Sequence, residues 1–163
     1  MKKNVRIFTL LAVCVLTLGV WTMLHGQNQN QGNGFSSVTF FLTINDATTG
    51  AFVSHTVITL HGDHTASAID SGQEDQFPVP FSSQLGAWSQ NSSGAINVRT
   101  LDFSFPFATQ GSARVDYKFN AGLPGQVQGS IVLTIFTPDA DPLGNGGALG
   151  GTFNFTGEKV TAP

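Results

Sequence analysis

Cysteine occurs once in the 163 residues, tyrosine once and tryptophan twice, and charged residues make up only 10% of the chain. Each scarcity excludes something. Cys14 lies in an apolar N-terminal run, so the remainder of the chain can build neither a disulfide nor a thiolate metal site. With so few Glu, Lys and Arg, the chain cannot furnish the solvated faces of a helical bundle or coiled coil. The shortage of basic residues also removes nucleic acid as a partner, because phosphate contact needs a basic patch. What the chain has instead is 19 glycines and 14 phenylalanines. Glycine serves turns and bulges while Phe, Val and Ile fill an inward face, a composition that suits a single antiparallel all-β domain.

Lys2, Lys3 and Arg6 precede an uncharged apolar run from Ile7 to Leu24. A basic start followed by an apolar stretch is the pattern of an export signal, and this run also reaches the lower length of a membrane span. Residues 1–26 are therefore expected to be a cleaved signal peptide or a retained N-terminal anchor, with the domain outside: secreted, periplasmic, or tethered to the membrane. Val13, which precedes Cys14, is not the small residue that lipidation requires. Four basic residues follow this segment, namely Arg99, Arg114, Lys118 and Lys159, against all ten acidic ones, for a net charge of −6. Such a domain is repelled by anionic headgroups, so membrane contact is expected only through the N-terminal segment.

Residues 27–34 form a polar linker of Gln, Asn and Gly. Beyond it, in residues 35–163, runs of period two are separated by turn residues. Strands are expected over Phe35–Ile44, Ala51–Leu60, Thr65–Ile69, Gln84–Gln90, Ala95–Phe105, Ser112–Phe119, Gln126–Phe136 and Leu149–Val160, with no helix. Hairpin spacing makes the sheet antiparallel. Long strands with internal glycines such as Gly129 and Gly157 favour an up-and-down barrel of about eight strands, closed or nearly closed, over a two-sheet sandwich. Closure leaves no free edge, and a monomer is expected.

Candidate sites are sparse. His55, His61 and His64, with Asp63, have the donor types for zinc or copper, but polar residues at a hairpin tip are the plainer account. Asp139-Ala-Asp141-Pro-Leu143-Gly144-Asn145-Gly146 begins like a calcium loop, then places Leu143 and Gly150 where oxygen donors belong, which favours a plain exposed loop. No metal or other cofactor is expected. No catalytic motif is present: Asp70, Glu74 and Asp75 surround a loop and read as solvated. Asp102 and Asp116 read as outward partners of Arg99 and Arg114, with Arg114, Asp116 and Lys118 in water. The domain is thus expected not to be an enzyme. Thirteen phenylalanines follow the N-terminal segment; lacking a polar handle, they belong in a core or around an apolar cavity. The expected lining is Trp88, Phe103, Phe105, Val115, Tyr117, Phe119, Ile131, Leu133, Phe153 and Phe155.

The turn His61-Gly62-Asp63-His64-Thr65, the Gly86-Ala87-Trp88 strand and Gly150-Gly151-Thr152-Phe153 opening the last strand resemble the calycin-type, lipocalin-like small barrels and exported bacterial barrel proteins. That resemblance implies a cup whose apolar interior holds a small ligand. The expected function is therefore an exported, non-enzymatic barrel binding a small hydrophobic molecule. The alternative is a filled barrel serving as a structural or protein-interaction module of the cell envelope.

Overall fold

The structure, a computed structural model, describes residues 36–73, 79–121 and 124–162. The N-terminal segment and the linker, and with them the export expectation, lie outside the described residues. Eight strands follow one another: β1 (Val38–Asp46), β2 (Phe52–Leu60), β3 (Thr65–Asp70), β4 (Gln84–Gln90), β5 (Ile96–Phe103), β6 (Ser112–Ala121), β7 (Gln126–Phe136) and β8 (Ala148–Lys159). Each pairs antiparallel with the next, and β8 returns to pair with β1, giving a closed up-and-down barrel. The sandwich alternative is thereby set aside. Between β5 and β6 lies a single helical turn, α1 (Phe107–Gln110), where the sequence leads to no helix.

Local chemistry fixes the strand ends. Asn45 and Asp46, beyond the expected strand end at Ile44, continue β1 through a bulge between Ile44 and Asn45. The turn moves to the next residues, where the Asp46 carboxylate accepts hydrogen bonds from the Thr48 and Thr49 amides and the Thr49 hydroxyl. These bonds hold its pKa below the usual carboxylate value.

Alternation sends Leu42, Ile58, Leu60, Val98, Phe119 and Phe155 inward, each almost wholly buried. Asn97, Gln128, Ser130, Asn154 and Thr156 face out. Beside them the outer wall also carries exposed apolar side chains, among them Phe41, Phe52, Ile69 and Leu85. The interior divides lengthwise. At the end where β1 begins and β8 finishes, aromatic rings fill the lumen: Phe119 meets Phe155 at 4.8 Å and Phe40 at 6.0 Å. The wall accommodates them through glycine. The Phe155 ring occupies the space over Gly129, where a Cβ would lie 2.6 Å from it, and a Cβ on Gly86 would land on the Arg99 carbonyl oxygen.

On the outer wall, Asp116 accepts from Arg99 at 2.6 Å, the expected cross-strand pair. Arg114 does not stay in water as expected; its side chain is only 12% exposed. Its guanidinium lies over the buried Phe136 ring, 5.1 Å from the centroid, and donates to the Pro142 and Gly144 carbonyls at 3.0 and 2.7 Å. Its Nε, 3.2 Å from the Asp116 carboxylate, contributes an ionic contact poorly angled for a hydrogen bond. Arg114 therefore clasps the long β7–β8 loop onto the wall.

Candidate functional site

At the other end of the barrel lies a cavity of about 220 Å³. It exists because the inward positions there are small. Ser54, Thr56, Ser104 and Ala113 stand where the packed end carries Phe40, Phe119 and Phe155. The cavity walls are largely apolar, supplied by Ile44 and Val53 from the first hairpin and by Val115, Ile131, Leu133 and Phe153 from β6, β7 and β8.

One side of the cavity is polar. Asp70 ends β3, and its Oδ2 accepts from Ser54 Oγ at 2.9 Å and Thr56 Oγ1 at 2.6 Å. Its Oδ1 accepts from the Gly72 amide at 2.8 Å. Gln84 opens β4; its Oε1 accepts from both Thr100 Oγ1 and Tyr117 OH at 2.8 Å. Asp102, on β5, is 4% exposed and lines the same space, with no side-chain hydrogen bond to any described residue. Burial, reinforced by the negative charge of Asp70, pushes its pKa up to about 7. Burial first, and then Asp70, hold the Tyr117 phenol well above its ordinary range, outweighing the Gln84 hydrogen bond. Among the described residues lining the cavity none is Lys, Arg or His. A carboxyl with a pKa near neutrality can be present in either charge state, accepting or donating a proton or hydrogen bond.

These placements correct two expectations. Asp102 faces in, not out, because Val98, Thr100, Asp102 and Ser104 share one face of the strand, leaving Arg99 to the other. Asp70 is half-buried rather than free in water; the hydroxyls of β2 hold it at the cavity's edge. Glu74 and Asp75 lie outside the described residues. The Val98-x-Thr-x-Asp-x-Ser104 alternation was the signal that could have found Asp102.

Of the expected lining, Val115, Tyr117, Ile131, Leu133 and Phe153 do surround the cavity. Phe119 and Phe155 lie instead in the packed end. Trp88 plugs that end, donating its indole N–H to the His61 carbonyl at 2.8 Å with its ring against His64. Phe103 and Phe105 are not lining residues: they are 55% and 47% exposed, since Asp102 and Ser104 hold the inward positions between them. The Phe103 ring meets Phe107 edge-on at 5.5 Å on the outside.

The histidines do not converge. His55 sits on the outer wall between the Phe41 and Phe52 rings. His61, at the packed end, lies between Ser37 Oγ and Ser67 Oγ. In the same turn the Asp63 carboxylate accepts from the Thr65 amide and hydroxyl, bonds that lower its pKa. Among the described residues no three His, Cys, Asp or Glu side chains group closely enough to hold a metal ion. In the β7–β8 loop, Asp141 accepts from the Leu143 amide, and Arg114 donates to the neighbouring Pro142 and Gly144 carbonyls. Compared with models of protein families, with curated proteins and with solved structures, the chain matches none.

Proposed function

We propose that this barrel is an exported, non-enzymatic binding domain that takes a small hydrophobic molecule into the cavity at its open end. The observation carrying the reading is the cavity itself: about 220 Å³ walled by Val115, Ile131, Leu133 and Phe153. An apolar cavity of about 150 Å³ already admits benzene, so the space suits a single substituted ring or a short branched chain rather than a long-chain lipid. Of the three titratable groups in the described lining, the Asp70 carboxylate and the Tyr117 hydroxyl are committed to hydrogen bonds within the wall, leaving Asp102 without a second free group to work with, which favours holding over reacting. The eight-stranded closure supports the calycin-like resemblance, and the basic-then-apolar N-terminus supports export. The exposed Phe103, Phe105 and Phe107 favour the second reading, an interaction module of the cell envelope.

Native mass spectrometry of the protein purified from its own host tests the proposal. A stoichiometric small-molecule adduct is expected, lost on denaturation and replaced by apolar probes of one-ring size. Bare protein that takes up none of those probes would overturn ligand binding and leave the envelope module.

A further inference from the structure

Asp102 presents a chemical anomaly inside an otherwise satisfied wall. It is buried to 4% exposure, it faces a cavity, and no described side chain or amide hydrogen-bonds to it. Leaving a buried carboxyl unpaired is costly unless something else meets it. Facing the cavity with it are Asp70 from β3 and Tyr117 from β6, the other titratable groups of the described lining, and no cation opposes them. The near strands bring the two carboxyls to one side, since β3 reaches β5 around the short β4. The apolar wall lies across from them.

We propose, resting on the cavity-binding reading above, that the ligand is a small amphiphilic cation. Its ammonium group meets the Asp102 carboxylate, and its ring or branched chain lies against Ile131, Leu133 and Phe153. A ligand carboxylate is disfavoured there by like charge, and a pure hydrocarbon leaves Asp102 unpaired. An ammonium donates the hydrogen bonds that Asp102 lacks, while the hydroxyls of Ser54 and Thr56 keep Asp70 in place as the second negative charge.

Three probes of matched shape decide it: 2-phenylethylamine, propylbenzene and 3-phenylpropionate, titrated calorimetrically into the purified protein. At pH 8 the amine should bind at least about tenfold tighter than propylbenzene, and the carboxylate weakest. At pH 5.5, below the Asp102 pKa of about 7, the amine's advantage should shrink, because the carboxyl is then protonated. Asp102→Asn should abolish the advantage, bringing the amine to the affinity of propylbenzene or below it. If that variant does not fold, the pH dependence of the unaltered protein carries the same decision. Propylbenzene binding as tightly as the amine, or an amine preference independent of pH and surviving in Asp102→Asn, would overturn the cation assignment alone. Silence from all three probes would overturn the cavity reading and this inference with it.

Discussion

The two ends of the barrel are built on the same eight strands, yet one is solid and the other hollow. At the packed end Phe40, Phe119 and Phe155 meet ring to ring, and Gly129 in the wall gives the rings room. At the open end the corresponding positions carry Ser54, Thr56, Ser104 and Ala113, and space remains. Side-chain size at inward positions therefore decides whether an eight-stranded barrel is a core or a cup. Polarity is divided the same way. The packed end buries almost only hydrocarbon, whereas the open end buries Gln84 and Asp102 and half-buries Asp70, with partners for Gln84 and Asp70 but none among the described residues for Asp102.

The contrast can be broken by measurement. Phe155→Ala removes a ring enclosed at 2% exposure and should cost about 3–5 kcal/mol in denaturant unfolding. A cost near 1 kcal/mol would mean the packed end is loose. Next in size is Asp102. Its pKa in the fold, about 7, is raised above the unfolded value, so its contribution is fully present only below about pH 4 and is lost as pH climbs through 7. Relative to Asp102→Asn, the unaltered protein should lose roughly 3–4 kcal/mol between pH 4 and 8, and the variant should be the more stable at pH 8. Parallel pH profiles for the two would place Asp102 in water. The smallest effect sharpens the comparison. Leu133→Ala, half-buried beside existing space, should cost only about 1–2 kcal/mol, against 0.5 or less for the exposed Lys118→Ala. A Leu133 cost equal to that of Phe155 would show the open end to be filled.

Much of this fold is legible in the sequence. Gln84–Gln90 and Gln126–Phe136 begin and end where their turn residues say, and the Ser112–Phe119 alternation sets Val115, Tyr117 and Phe119 inward as read. The differences have physical reasons. Charge alone puts Asp102 on the surface, but burial follows position, and position two residues from Thr100 points Asp102 inward. Arg114 points outward as its strand dictates; what the period could not show is that a distant loop would fold back and cover it. Phe103 and Phe105 were assigned inward by hydrophobicity against the same alternation. Which inward residues border a void depends on how the strands stagger on closing. That register is a long-range property, absent from any one strand's pattern.

The pairing of β1 with β8 has a bearing on how the molecule is made. Its register sets Phe40 against Lys159 and Asp46 against Phe153, contacts spanning more than a hundred residues of chain. Local hairpins can form as each strand emerges, but the seam cannot close until the last of the eight has been synthesised, and both flanking edges stay unpaired until then. During that interval the chain is an open, sticky ribbon with its aromatic residues uncovered. Folding is therefore expected to be slow and to finish all at once, with the cavity and its carboxyls assembled only at the final step.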